Sequence, residues 1–160
     1  MTEHIRDELA PTGVLRAAIN LSNFLLVTDK TAAGDPVGVS PDMARAVADR
    51  LGVGVEYITY ATPGELADAA VEDVWDIGNI GAEPSRAQTI TFSAAYAEIE
   101  ATYMVPAGSS IQSIEEVDRA GIRIAHPPRS AYGLWLENNI KNAELVPAEG
   151  SEAHGSEWIS

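Results

Sequence analysis

The chain has 160 residues, 46% of them hydrophobic and 21% charged, which suits a soluble globular protein with its own core. Its net charge is −14, with ten Lys and Arg scattered among 24 acids, so nucleic acid is excluded as a partner and anionic membranes are disfavoured. No apolar run reaches the roughly 18 to 20 residues that span a bilayer, and the absence of cysteine excludes disulfides and thiol chemistry.

The first third of the sequence predicts a strand followed by a helix. Residues 1–12 form a polar N-terminal extension that lacks the apolar centre of a secretory signal. Leu15 to Leu21 is apolar enough for a buried strand. Ser40 is the expected N-cap of a helix that runs to Leu51, and Gly52 is the expected stop.

The next elements continue the alternation of helix and strand. Met43, Val47 and Leu51 lie four residues apart, with Ala44 and Ala48 beside them, so this face of the helix is expected in the core. Val53 to Tyr60 predicts a second strand. Thr62 and Glu65 form a capping box that opens a helix running to about Val74. Such alternation predicts a parallel α/β layer with crossover helices.

A candidate binding loop follows between Trp75 and Tyr96. Its short apolar strand is interrupted by Gly78 and Gly81, which let the backbone come close to another molecule. A turn then presents Arg86 beside backbone amides, and a guanidinium in that setting is a good receptor for a carboxylate. An arginine on a solvated face is the alternative.

The second half begins with a change of pattern. Its predicted elements are a strand at Ile99 to Val105, a crossing between lobes at Pro106 to Ser110, a capping box at Ser113 with Glu116, a strand at Gly121 to Ala125, a helix capped by Ser130, and a strand at Ala143 to Val146. From Ala148 onward all periodicity is lost.

In their order and spacing, these motifs resemble those of bacterial solute-binding proteins of the amino-acid type, family 3. The resemblance extends over about residues 13 to 147 and rests on the segments GVLR at 13–16, GVSPDMA at 38–44, RLGV at 50–53, DIGNIGAEPSR at 76–86, and FS with Tyr96. It implies an α/β, periplasmic-binding-protein-like type II fold. A Rossmann-like three-layer lobe would occupy residues 13–105, and an incomplete, truncated second α/β lobe residues 106–160.

The same resemblance implies a function. The intact protein would be the substrate-binding component of an ABC transporter, would hold an amino acid or related small carboxylate between two lobes without cofactor or chemistry, and would deliver it to a permease. The acid that holds the ligand ammonium in the family would lie beyond residue 160, so weak or absent binding is expected of this chain. The family is usually periplasmic; without a signal, a cytoplasmic location is the alternative.

Carried over by resemblance, the ligand-binding residues are Asn20, Asn23, Phe24, Asn79, Gly81, Glu83 and Arg86 in the first lobe, and Arg129 and Ser130 in the second. Each has a structural alternative. Phe24 could belong to the core, and Asn20 and Asn79 to turns. Glu83 could cap the turn, pair with Arg86 or meet a cationic ligand group. Ser130 is an N-cap in either case, and Arg129 could be solvated.

Two other functions stay open. The cyclohexadienyl dehydratases resemble these binding proteins, and their elimination chemistry needs a general acid, for which Glu83 is the obvious first-lobe candidate. A truncated domain that binds no ligand could instead dimerise through apolar residues such as Trp135 and Leu136. No metal site is expected, since His4, His126 and His154 are isolated.

Overall fold

The computed structural model describes residues 2–148. Four α-helices lie in this range: α1 Thr2–Leu9, α2 Val39–Leu51, α3 Pro63–Asp68 and α4 Ala131–Asn139. The strands are β1 Val14–Asn20, β2 Asp29–Lys30, β3 Pro36–Val37, β4 Gly54–Tyr60, β5 Ile77–Asn79, β6 Arg123–His126 and β7 Glu144–Pro147, and short 3-10 helices occur at Ala69–Val71, Arg86–Gln88 and Ile114–Glu116. Among the described helices, none has both the length and the apolar character needed to cross a bilayer.

The chain divides into two compact units. Unit 1 ends at Thr91 and unit 2 begins at Phe92. The division falls earlier than the end of the first lobe at residue 105 that the sequence suggests. Each unit has its own parallel sheet and its own buried apolar cluster.

The sheet of unit 1 has β1 at its centre. Its order is β4-β1-β5 and both pairings are parallel, with Val14 beside Gly54 and Ala17 beside Ile77. Because β1 is flanked on both sides and covered on both faces, four of its seven residues are buried, as expected for the central strand of an α/β layer. The predicted α/β class is confirmed.

Helix α2 begins differently from the prediction. Gly38, not Ser40, is the N-cap, and the first helical bond runs from the Asp42 amide to the Gly38 carbonyl. Ser40 lies inside the first turn, where its own amide donates to the Leu26 carbonyl at 3.0 Å. That carbonyl takes the place of a capping hydroxyl. The stop at Gly52 is confirmed, since this residue has a φ of 71° in the left-handed region.

The buried face of α2 is made by its small residues. Ala44 and Ala48 are fully buried against the sheet, whereas Met43, predicted in the core, is exposed. Val47 and Leu51 are half-buried. Alanines let the helix backbone lie close to the sheet, and the larger side chains are then displaced to the flanks of the contact.

The ends of this layer contain one unexpected and one confirmed helix. The N-terminal extension folds into α1, after which Ala10 packs with Leu15 and Ala48. The capping box of α3 forms in full, since the Thr62 hydroxyl accepts from the Glu65 amide and the Glu65 carboxylate accepts from the Thr62 amide. Helix α3 passes into a 3-10 turn that ends at Val71 rather than near Val74.

Unit 2 pairs β6 with β7 in parallel, with α4 between them in sequence. Its core contains Val117, Ile124 and Leu136. The prediction that Leu136 is exposed is therefore wrong, while its neighbour Trp135 is about half exposed. Successive residues of a helix point in different directions, so only one of the two faces the sheet.

Two other predictions for unit 2 fail. The segment from Ile99 to Val105 is irregular: its composition suits a strand, but that preference is realised only through cross-strand pairing, which it lacks. At Ser113 the hydroxyl makes no cap bond, and the Glu116 carboxylate accepts mainly from the amide of Gln112, with a weaker interaction with the Ser113 amide. The resulting helix is a single 3-10 turn. Residues after Ala148, where periodicity is lost, lie outside the described range.

Candidate functional site

The candidate site of unit 1 lies at the carboxyl edge of its sheet. Strand β1 ends at Asn20 and β5 at Asn79, and Asn79 is paired with Ile19, the residue before Asn20. Parallel strands bring the loops that follow them to one edge, which is where ligands bind in open α/β sheets. All seven candidates of the first lobe belong to the two strand ends and the loops after them.

The loop after β1 is shaped by two asparagines. The Asn20 side-chain oxygen accepts from the amide of Ser22 at 3.1 Å and from its hydroxyl at 2.8 Å. The Asn23 side-chain oxygen accepts from the Leu25 amide at 3.3 Å. Both asparagines therefore act as turn formers, the structural role that the sequence left open for Asn20.

Phe24 projects from the loop that these asparagines shape. Its exposed fraction is 63%, so the alternative that it belongs to the core is wrong. The loop itself is anchored behind Phe24: the Leu26 amide donates to the Asn23 carbonyl, and the Leu26 carbonyl accepts from Ser40. An aromatic ring is thus presented to solvent from a loop whose base is fixed.

The loop after β5 folds back on itself around Arg86. This side chain is only 5% exposed, and its Nη1 donates to the Gly81 carbonyl at 2.8 Å. The solvated-face alternative is therefore wrong. Nη1 thus donates to a backbone carbonyl of its own loop. The Glu83 carbonyl accepts from the Ala87 amide, which closes the turn, while Glu83 itself is half-buried.

Gly78 serves the interior of unit 1. A β-carbon built at this position would lie 3.2 Å from a methyl of Leu66 and 3.3 Å from the ring of Trp75. The sequence suggested that this glycine admits another molecule. Its missing side chain instead makes room for residues of the same unit.

A partly buried ion pair at the start of β5 is a feature that the sequence analysis missed. The Arg16 guanidinium donates to Asp76 from Nε at 3.1 Å and from Nη2 at 2.6 Å. Its Nη1 donates to the Asp73 carbonyl at 2.6 Å. The hydrogen bond to Asp76 raises the pKa of Arg16 further above its ordinary value, against the opposing effect of desolvation, so Arg16 is charged. The one available signal was a charge of opposite sign near the start of each apolar strand.

In unit 2 the candidates lie at the start of α4. Ser130 caps the helix as predicted: its hydroxyl accepts from the Gly133 amide at 3.0 Å and donates to the Pro127 carbonyl at 2.8 Å. Arg129 is exposed and has a φ of 58°. The helix approaches β6 closely, because a β-carbon on Gly133 would lie 2.9 Å from the ring of buried His126.

The nine candidates thus fall into two groups, seven in unit 1 and two in unit 2. Over residues 2–148, the carboxylates and imidazoles form no cluster of three that could hold a metal ion. What the unit 1 group offers is a buried guanidinium, an exposed aromatic ring and a half-buried carboxylate at one sheet edge.

Comparison with known proteins identifies the fold. The structure resembles the ancestral amino acid-binding protein AncCDT-1, a precursor of cyclohexadienyl dehydratase, with a TM-score of 0.76, 21% identity, and coverage of 97% of this chain and 72% of that one. It also resembles a lysine-complexed putative ABC-transporter binding component from Wolinella succinogenes, with a TM-score of 0.62, 18% identity, and coverage of 88% and 61%. A mutant of ArgBP from T. maritima matches with a TM-score of 0.66, 18% identity, and coverage of 99% and 70%.

The chain therefore spans 61% to 72% of the length of these three structures, and the likeness shows the type II periplasmic binding protein fold. No curated protein sequence matches the chain significantly. The sequence profile of the bacterial extracellular solute-binding proteins, family 3, matches residues 20–152, which include both groups of candidates. The chain belongs to this family of solute-binding proteins.

Proposed function

We propose that this protein is the solute-binding component of an ABC transporter and that it binds an amino acid or a related small carboxylate with the loops of unit 1. The observation that carries the proposal is the buried guanidinium of Arg86 at the carboxyl edge of the sheet, in a chain of the solute-binding family. The role of each residue follows from its surroundings.

Arg86 is proposed as the anchor of the ligand carboxylate. A guanidinium has five N–H donors in a rigid fork, and the bond from Nη1 to the Gly81 carbonyl fixes the plane of that fork. Screening by solvent is weak around a buried group, so a carboxylate that docks in this plane gains more than it would at an exposed arginine. Asn79, at the end of β5, would border the same position.

Phe24 is proposed to cover the apolar part of the ligand. Its ring is exposed although large aromatic rings usually bury most of their surface, and the Asn23 turn holds the backbone beneath it. Burial of such a ring against a ligand removes apolar surface from water, which stabilises the complex relative to the unliganded protein. Asn20 contributes mainly by shaping this loop.

The ligand is proposed to carry a positive charge as well as a carboxylate. Structures that share the fold include a lysine complex and an ancestral arginine-binding protein bound to arginine. Glu83 is half-buried in the same loop as Arg86, and the net charge of −14 would attract a cationic ligand from solution. Ser130 and Arg129 are proposed as the contacts that unit 2 supplies.

Binding without chemistry is proposed over dehydration. A dehydratase needs a positioned general acid, and Glu83 is the candidate in unit 1. Incubation of the protein with each ligand followed by mass spectrometry decides between the two activities: loss of water from a carboxylate substrate would establish the enzyme, and unchanged ligands support the binding protein.

Calorimetric titration tests the binding site. A panel that includes L-lysine, L-arginine and small carboxylates is titrated into the wild type, Arg86→Ala, and Arg50→Ala, whose side chain lies on the exposed last turn of α2. Loss of a charged, bidentate contact costs roughly 1.5 to 3 kcal/mol, so Arg86→Ala should bind about 10- to 150-fold more weakly, with Arg50→Ala unchanged. Equal affinities in the two variants would refute the anchor.

A second pair of variants tests the aromatic contact without disturbing the core. Phe24→Ala should weaken binding, while Leu25→Ala, its equally exposed neighbour, should not. Both should melt within a few degrees of the wild type, because neither side chain is buried. A panel that yields no heat with the wild type contradicts ligand binding by this chain.

The partner and location follow from the transport function. A permease is the proposed partner and the extracytoplasmic space the proposed location, with the cytoplasm as the alternative. Labelling of intact cells with a membrane-impermeant reagent distinguishes the two compartments. Pairing of two chains through Trp135 is testable by light scattering, since Trp135→Glu should then lower the mass to that of a monomer.

A further inference from the structure

The strand that leads into the Arg86 loop has little to hold it in place. Strand β5 has only three residues, and within residues 2–148 it forms one edge of the sheet and pairs with β1 alone. Its central residue is Gly78, which contributes no side-chain packing and is entropically costly to order. A β-carbon at that position would lie 3.2 to 3.4 Å from side-chain atoms of Leu66 and Trp75, so the neighbours leave little room for a larger residue that could anchor the strand.

The Arg16–Asp76 pair provides an attachment at the start of this strand. Four hydrogen bonds join the two residues. The Asp76 amide donates to the Arg16 carbonyl at 2.9 Å, the Arg16 amide donates to Asp76 Oδ2 at 2.7 Å, and the two guanidinium bonds to Oδ1 complete the set. The side chains of Asp76 and Arg16 are 5% and 17% exposed, so solvent screens the pair only weakly.

The same guanidinium also fixes the turn that precedes β5. Asp73 has a φ of 53°, a left-handed conformation that is rare for residues other than glycine. Arg16 donates to its carbonyl from Nη1 at 2.6 Å and to its side chain from Nη2 at 3.3 Å. Arg16 therefore bonds both to Asp73, in the turn that leads into β5, and to Asp76, the residue immediately before that strand.

We propose that Arg16 and Asp76 form a positioning pair for the ligand loop: they hold β5 against β1 and thereby fix where Asn79, Gly81 and Arg86 stand relative to the loop after β1. As far as ligand affinity is concerned, the inference rests on the proposed function. Neither residue touches the ligand. Asp76 precedes Asn79 by three residues of an extended strand, so displacement of β5 displaces the whole Arg86 loop.

Hydrogen exchange tests the inference without any ligand. In Asp76→Asn, the amides from Ile77 to Gly81 should exchange at least about tenfold faster than in the wild type, under conditions that leave β4 protected. The matched control is Thr62→Ala, which removes the cap of α3 and destabilises unit 1 without removing a hydrogen bond to β5. Equal acceleration in the two variants, or acceleration spread over the whole sheet, would mean that the pair is only a source of stability.

Affinity provides the second measurement. With each protein more than 99% folded, a pure change in stability leaves the dissociation constant unaltered, because nearly all molecules are already competent to bind. Asp76→Asn should nevertheless bind L-arginine about tenfold more weakly than Thr62→Ala does, and the difference should shrink for L-arginine methyl ester, which lacks the carboxylate. Identical affinities in Asp76→Asn and Thr62→Ala would overturn the inference.

Two safeguards keep the outcomes separate. If Asp76→Asn does not fold, Arg16→Lys takes its place, because lysine keeps the positive charge but lacks the planar guanidinium that bonds to Asp76 and Asp73. The same changes in amide exchange and in affinity are expected of Arg16→Lys. If neither folds, native-state exchange of the wild type decides: the amides of Arg16 and of residues 77–79 should open together, and independent opening of 77–79 contradicts the attachment. A wild type that binds no ligand refutes the proposed function, while the exchange experiment still judges the pair.

Discussion

Replacement of Gly38 by alanine should release the loop that carries Phe24. Gly38 has a φ of 139° and a ψ of −173°, a region of backbone space that is open almost only to glycine. A β-carbon there would overlap the Leu26 carbonyl oxygen and would lie 3.0 Å from the Val27 α-carbon. Both contacts involve backbone atoms, so no side chain can rotate away to relieve them.

The magnitude has two parts. The disfavoured backbone conformation costs about 1 to 3 kcal/mol, and an overpacked contact adds about 1 to 3 kcal/mol. Gly38→Ala should therefore destabilise unit 1 by roughly 2 to 6 kcal/mol, provided the segment stays in place. The chain can avoid part of this cost by moving Leu26 away, which would break the bond from the Ser40 amide and loosen the start of α2.

Gly34→Ala is the matched control. Gly34 also has a positive φ, 96°, but no atom lies within 4 Å of its β-carbon position. This variant isolates the conformational penalty, so it should cost only about 1 to 2 kcal/mol. Amide exchange of β1, the central strand, reports the stability of unit 1 separately from unit 2. Equal destabilisation by the two substitutions would refute the close approach of Gly38 to Leu26.

Three other substitutions have outcomes fixed by the structure. Thr62→Ala removes a complete capping box and should lower the stability of unit 1 by about 1 kcal/mol in chemical denaturation. The Asp118 carboxylate accepts hydrogen bonds from three successive backbone amides, and these bonds lower its pKa below the ordinary 3.8. The stability that Asp118 contributes is therefore present at neutral pH and is lost as the pH falls through its folded-state pKa. Asp118→Asn should make the stability of unit 2 depend less on pH in the acid range. Leu136→Ala should lower the free energy of unfolding of unit 2 by about 2 to 5 kcal/mol, as measured by thermal unfolding. The adjacent Trp135→Ala should lower it much less, because of the two side chains only Leu136 is buried. Equal losses of stability in the two variants would contradict the packing of α4.

The sequence predicted most of the elements whose signals are local, although the local signal at Ser113 gave no side-chain cap. The Thr62 box, the Gly52 stop and the Ser130 cap depend on residues within one turn, and the structure contains all three. The α/β class followed from the alternation of periodic segments, and the family from the order of its motifs.

Predictions that depended on distant residues were less successful. Serine is a residue type that commonly caps helices, but the amide of Ser40 donates to the carbonyl of Leu26 in an earlier loop, and a local sequence pattern cannot reveal that bond. Strand formation at Ile99 to Val105 required a partner that composition does not supply. At the candidate site, the residue types were evident, but the burial of Arg86 and its bond to a carbonyl follow from how the loop closes. Arg16 and Asp76 lie 60 positions apart, and a charge near the start of each strand does not by itself indicate which residues pair.

The strand order of unit 1 has a consequence for synthesis of the protein. Strand β1 emerges from the ribosome before its partners β4 and β5, which begin only at Gly54 and Ile77. At about 5 to 20 residues per second, β1 therefore waits several seconds for its first neighbour. During that interval Leu15, Ala17, Ala18 and Ile19, all fully buried in the finished sheet, are exposed on an unpaired strand. The strand that becomes the centre of this sheet is thus the one of its three strands that waits longest for a partner during synthesis.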